Sequence, residues 1–116
     1  MSVLLEFSIF PLDQGESVSA HVSQVVALIR DSGVDYQLTA MGTLIETDDI
    51  DQAMDLVKRA SDLLEQRGCK RVYATLKIDI RSGTRGRLQS KTRSIEARIG
   101  EVSIGRKADS DISDHG

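Results

Sequence analysis

The sequence predicts an α+β domain in which helices cover one face of a four-stranded antiparallel sheet. Three observations carry that prediction. Strand-like and helix-like runs alternate in the order β-α-β-β-α-β, with one more helical run after them. The run "RVYATLKIDI", 71–80, alternates apolar and polar residues without a break, as a half-buried strand does. Glycines fall where helices would have to stop, at Gly33 and Gly68.

Element by element, "VLLEFSIF", 3–10, is rich in apolar and aromatic types and ends at Pro11, which fits a first strand. "PLDQGE" is a turn, after which Ser17 or Ser19 can cap a helix. Val18, Val22, Val25 and Ile29 then share one helical face. "VDYQLTA" and "TLIET" are two strands joined at Met41-Gly42, where glycine supplies the positive φ of a tight reversal. Asp48 is a cap candidate for the second helix, with Asp49 and Asp51 at its positive end. Ala53, Val57, Ala60 and Leu64 form its stripe, widened by Met54 and Leu56.

The fourth strand sends Val72, Ala74, Leu76, Ile78 and Ile80 to one face and Tyr73, Thr75, Lys77 and Asp79 to the other. After the loop "RSGTRG", Leu88, Thr92, Ile95 and Ile99 recur at helical spacing in a third, basic helix. The order is that of the ferredoxin-like split βαβ plan with a C-terminal helix. Residues 1–104 are expected to form a single domain and 105–116 a disordered tail with little to bury.

Composition narrows the function classes. Aromatics make up 3% of the 116 residues and Trp is absent, which argues against base stacking on nucleic acid. The net charge of −3 argues against attraction to phosphate backbones or anionic membranes. A single cysteine, Cys69, precludes an internal disulfide and fits a reducing compartment. The N-terminal run has no basic region and is too short to span a bilayer, so neither a signal peptide nor an anchor is read, and the expected location is cytoplasmic.

Parity places side chains on the sheet. If the apolar set of the fourth strand faces the helices, so do Val3, Leu5, Phe7 and Ile9, and so do Tyr36, Leu38 and Ala40. Leu4, Glu6, Ser8, Phe10, Asp35, Gln37 and Thr39 then take the open face. A two-residue loop at Met41-Gly42 would pair Ala40 with Thr43 and put Leu44 and Glu46 there as well; one extra loop residue would reverse them. A surface so mixed suits sheet-to-sheet association with room for a polar ligand at its edge. On composition alone, a dimer interface with internal hydrogen bonds and no ligand is the better reading.

Four segments occur in order: "SVSAHV", "SGVDYQLTAMGTLIE", "KRVYATLKIDIRSG" and "KTRSIE". Together they resemble the thiamine-binding protein family of ferredoxin-like domains, from strand one to about Ile99. The resemblance implies dimers or tetramers formed through the sheets, and thiamine as a bound ligand without catalysis or a cofactor. It implicates Ser17, Ser19, Met41, Gly42, Thr43 and Glu46. This sequence departs from the family at Thr92, where an apolar residue is usual. Thiamine carries a fixed positive charge on its thiazolium ring and donors on its aminopyrimidine. A partly desolvated carboxylate, Glu46 or Glu6, would favour the cation, and Ser8, Thr39 and Thr43 would supply hydrogen bonds. Met41 could lie against a ring.

Other groups carry less. His21 and His115 lack a second ligand at metal spacing, and His21 reads as a helix-surface residue. Cys69 reads as a small filler with no histidine placed to activate it. The basic run "RSGTRGRLQSKTR" has no Gly-Lys-Ser/Thr and reads as a solvated loop and helix face. Three rival functions remain at this point: a regulatory subunit that senses a nucleotide, a small enzyme with Glu46 or Asp79 as base in an interfacial pocket, and a plain assembly module.

Overall fold

The computed structural model describes residues 1–83 and 86–105. The tail expected beyond Gly105 lies outside the described residues. The elements are β1 (Ser2–Pro11), a short 3-10 turn (Gly15–Ser17), α1 (Val18–Asp31), β2 (Asp35–Thr39), β3 (Gly42–Thr47), α2 (Ile50–Gln66), β4 (Val72–Arg81) and α3 (Arg87–Ile99). The sheet is antiparallel with strand order β2-β3-β1-β4, the split βαβ arrangement expected.

The core lies between the sheet and the pair α1 and α2. Val3, Leu5, Phe7 and Ile9 of β1 and Ile45 of β3 are buried, against Val25 and Ile29 of α1 and Ala53, Leu56, Ala60 and Leu64 of α2. Burying a side chain such as Leu5 or Phe7 contributes about 1.5–3 kcal/mol. The period-2 face of β1 and the 3.6-period stripe of α2 thus meet as the sequence predicts.

Local chemistry sets the element ends. The cap of α2 is Asp49, one residue later than expected: its Oδ1 accepts the Gln52 N–H at 2.8 Å. Gly33 follows α1 with φ 82° and Gly68 follows α2 with φ 88°, the left-handed conformation that closes a helix.

The β2–β3 reversal is Ala40-Met41, since Thr39 pairs with Gly42 and Leu38 with Thr43. The sequence reading placed the loop at Met41-Gly42. The shift is two residues in register, so every side chain keeps its face. Thr39 fixes the turn: its Oγ1 donates to the Gly42 carbonyl at 2.8 Å and accepts the Met41 N–H at 3.2 Å. Gly42 is needed in the strand itself. It holds φ 154°, and a Cβ there would lie 2.9 Å from the Phe7 carbonyl oxygen.

Two features bear on function. Edge strand β4 extends beyond the helices, so its helix-side residues Leu76, Ile78 and Ile80 remain 39–55% exposed. On the other face, α3 lies over the end of the sheet where Leu4, Gln37 and Leu44 meet. The open face is therefore divided. One end carries α3 and the other carries Ser8, Phe10, Tyr73 and Thr75, with the Phe10 and Tyr73 rings 5.8 Å apart and tilted.

Candidate functional site

Glu46 reaches the open face from β3, opposite Leu4 on β1 and Asp35 on β2. It is 1% exposed. Its burial comes from α3, whose first residue, Arg87, donates its backbone N–H to Glu46 Oε1 at 3.0 Å. Ser2 Oγ–H donates to the other carboxylate oxygen. A carboxylate at a helix N-terminus meets the positive end of the helix dipole, so Glu46 acts as a cap supplied from the sheet.

Arg87 completes the anchor. The side chain is 6% exposed. Its Nε donates to Ser2 Oγ at 3.1 Å, and one terminal nitrogen donates to the Ser2 and Asp79 carbonyls, each at 2.8 Å. The other terminal nitrogen donates to Asp79 Oδ2 at 2.9 Å. A planar fork with five donors fits four oxygen partners where a lysine would not. Sequence reasoning placed Arg87 in a solvated basic stretch and passed over Ser2. One signal was available: a cation in the first turn of a helix opposes the helix dipole.

Two adjoining cavities lie beneath α3. One, about 520 Å³, has Asp35, Gln37, Glu46, Thr92, Arg93 and Glu96 among its lining residues. The other, about 570 Å³, has Glu6, Gln37, Lys77, Asp79, Thr92 and Lys91 among its own. Gln37, Leu88 and Thr92 line both, but Gln89, Arg93 and Glu96 line only the first and Arg87, Lys91 and Ile95 only the second, so the two lie on opposite flanks of α3, and the first forms a trough along one of them. Each volume falls in the range of about 300–1,000 Å³ typical of small-molecule sites. Thr92, the departure noted in the sequence, faces this trough.

Most of the remaining sequence-named residues gather elsewhere. Ser8, Thr39, Met41, Gly42 and Thr43 line a cavity of about 280 Å³ at the hairpin tip, closed by valines of α1 and by Leu38. Glu46 is four residues further along β3, roughly 13 Å away at the usual rise per residue. The structure therefore does not bring these residues together with the carboxylate. Thr43 is buried on the helix side, Met41 is 85% exposed at the turn, and Thr39 is committed to the turn. Ser19 is exposed on the first turn of α1 and lines neither cavity; the Ser17 side chain lies outside what the structure describes.

Two minor readings are corrected. His21 is 8% exposed, not a surface residue. Its Nδ1 accepts from Arg67 Nε at 2.9 Å, and the Cys69 sulfur lies 3.7 Å from the same nitrogen. A histidine does stand beside Cys69, yet its lone pair is taken by Arg67, and the three side chains tie α1 to the end of α2. Among the described residues no three His, Cys, Asp or Glu side chains group as a metal site.

Comparison with known proteins decides the family. The family model described as thiamine-binding protein matches residues 5–96. The chain belongs to the thiamine-binding protein family. A UPF0045 protein of Methanothermobacter thermautotrophicus is 36% identical over 98 residues, spanning 84% of this chain and 99% of that one. A solved domain of unknown function from Bacillus cereus superimposes with a TM-score of 0.70 at 30% identity, covering 78% of this chain and 86% of that one. A hypothetical protein of Methanocaldococcus jannaschii gives a TM-score of 0.69 at 33% identity, covering 81% of this chain and 95% of that one. The family carries a thiamine-related role, and its fold is the one found here.

Proposed function

We propose that the protein binds thiamine or a related pyrimidine precursor in the trough under α3, without transforming it, to buffer or deliver the vitamin. The observation that carries this reading is the charge of the wall near Glu46. The described lining residues there include three carboxylates, Asp35, Glu46 and Glu96, and one guanidinium, Arg93; Asp35 and Glu46 have further interactions as well. Arg93 itself donates to Gln89 at 2.7 Å. A partly desolvated anionic wall favours a fixed organic cation. Gln37 and Thr92 offer the donors and acceptors an aminopyrimidine needs, and Leu88 offers apolar contact.

A binding role agrees with how the polar groups are used. Both Glu46 oxygens accept structural hydrogen bonds, and the Arg87 fork holds α3. A carboxylate so engaged supplies field more readily than it moves a proton. The hairpin-tip residues Thr39, Gly42 and Thr43 contribute by fixing the β2–β3 register that places Asp35, Gln37 and Glu46.

Self-association belongs to the same proposal. The end of the open face clear of α3, around Phe10 and Tyr73, is the part able to meet a second copy. The uncovered Leu76, Ile78 and Ile80 on the edge strand also favour a partner copy over solvent. We place the protein in the cytoplasm, a reading supported by its single free cysteine. No helix among the described residues is long and apolar enough to cross a membrane.

The test is thermal denaturation with and without thiamine. A ligand at one hundred times its Kd stabilises the folded state by about 2.7 kcal/mol. Thiamine should raise Tm by several degrees, and Asp35→Asn with Glu96→Gln should reduce the rise. No rise at millimolar thiamine would refute the proposal. A rise with ATP alone would favour the regulatory reading. Light scattering tests the assembly: a persistent monomer at micromolar concentration would refute the self-association.

A further inference from the structure

The cavity of about 570 Å³ on the β4 side of α3 is not used by the proposed thiamine site. Much of its lining is apolar. Half-buried Leu4 and Leu44 come from the sheet, and Leu88, Ile95 and Val102 come from α3 and the segment after it. Arg87, Lys91 and Ile95 follow one another at intervals of four residues, so a single stripe of α3 makes the helical wall.

Three side chains set the charge of this hollow. Arg87 and Asp79 satisfy each other at 2.9 Å, which leaves Lys77, Lys91 and Glu6. Gln37, Leu44, Glu6 and Lys77 form one row straight across the four strands, so Lys77 stands opposite Glu6 on the β1–β4 ladder. Among the described residues neither an ion pair nor a side-chain hydrogen bond engages Lys77, Lys91 or Glu6. Two ammonium groups, one from the sheet and one from the helix, therefore accompany one carboxylate around an apolar hollow.

We infer that this second cavity binds a small amphipathic monoanion, a carboxylate carried on an alkyl chain or a single ring. The apolar body lies against Leu4, Leu44, Leu88 and Ile95, and the carboxylate lies between Lys77 and Lys91. A monoanion matches the one surplus positive charge. A cation would meet two ammonium groups, and a bare inorganic anion would leave the apolar wall hydrated. The Arg87 guanidinium is not a partner, because its donors are already taken by Ser2 and Asp79. The inference does not depend on the thiamine reading, since the thiamine site lies on the other flank of α3.

Isothermal titration of the full chain with octanoate, octanol and acetate tests this. Octanoate should bind saturably, at least about fivefold more tightly than octanol, as expected for a charge contact at a partly exposed site. It should bind at least about tenfold more tightly than acetate, which lacks the body that the apolar wall would cover. The advantage over octanol should shrink as salt rises. In Lys77→Gln/Lys91→Gln that advantage should vanish while octanol affinity stays within about twofold. Both lysines are exposed, so the double variant should melt with the parent. Glu6→Gln removes the opposing carboxylate and should tighten octanoate, whereas Ile95→Asp should weaken octanoate and octanol alike. Octanoate binding no tighter than octanol, an advantage that survives the double substitution, or no octanoate binding at millimolar concentration would each overturn the inference. None of these results bears on thiamine, whose own titration decides that site separately.

Discussion

Arg87→Met isolates what holds α3 over the trough. The backbone N–H of residue 87 still donates to Glu46, and methionine preserves most of the apolar volume, so the substitution removes chiefly the guanidinium. The Asp79 carboxylate is 70% exposed, so its ion pair is screened and contributes at most about 1 kcal/mol. The Ser2 partners are different. Ser2 is 0% exposed, and leaving its carbonyl and hydroxyl with fewer donors costs about 1–3 kcal/mol. The total is about 1–4 kcal/mol. The other contacts of α3 are modest, because Leu88 and Thr92 are half-buried and Ile95 is 38% exposed.

Docking should therefore weaken by about 5- to 800-fold. Hydrogen exchange reads this directly. Amides of α3 should exchange faster by that factor, while amides of β1 and β3 keep their protection, since the core beneath α1 and α2 is untouched. Arg87→Lys keeps the charge and loses the fork, so its effect should be intermediate. Exchange in α3 within threefold of the parent would refute the reasoning. So would an equal loss across α3 and the sheet, which would make Arg87 part of the global core.

Three further outcomes are expected. Gly42→Ala forces a Cβ to 2.9 Å from the Phe7 carbonyl in a backbone conformation side chains avoid, and should destabilise by about 2 kcal/mol, lowering Tm by roughly 10 °C in a thermal melt. Asp13 accepts the Lys70 N–H at 2.8 Å, which holds its carboxyl below the ordinary carboxylate range. Between the folded and unfolded values the unfolded chain binds more protons, so this contribution is present at neutral pH and is lost as pH falls through the folded value. The stability gap between the parent and Asp13→Asn, measured by urea unfolding, should therefore close below about pH 4. His21→Ala strips Arg67 of its acceptor and opens a gap beside Cys69; it should lower the urea midpoint and speed Cys69 labelling by a thiol reagent, and unchanged labelling would contradict the buried tie.

The fold was legible because its signals are local. The alternation in β4, the stripe of α2 and the glycines after α1 and α2 each act within a few residues. The facing of Glu46 was legible too, although the turn was misplaced, because a register error of two keeps parity. The misplacement has a physical cause. Gly42 resembles a turn glycine, and only the Phe7 carbonyl, 35 residues earlier in sequence and adjacent in space, reveals why a strand needs it.

What the sequence hid is long-range. Arg87 meets Ser2 and Glu46 across separations of 85 and 41 residues, and the seat of α3 on the open face depends on those contacts. His21 joins Arg67 across 46 residues, so a histidine on a helix read as exposed when a partner had neutralised the cost of burying it. The site residues divided for a similar reason. Hairpin tip and carboxylate are close in sequence, but an extended strand carries them to opposite ends of the sheet.

Amide chemical-shift mapping during a thiamine titration tests the central claim most directly. The account predicts saturable shifts at Asp35, Gln37 and Glu46 on the sheet and at Leu88, Thr92 and Glu96 on α3. Shifts confined to residues 40–43 and the facing turns of α1, or no shifts at all, would contradict it.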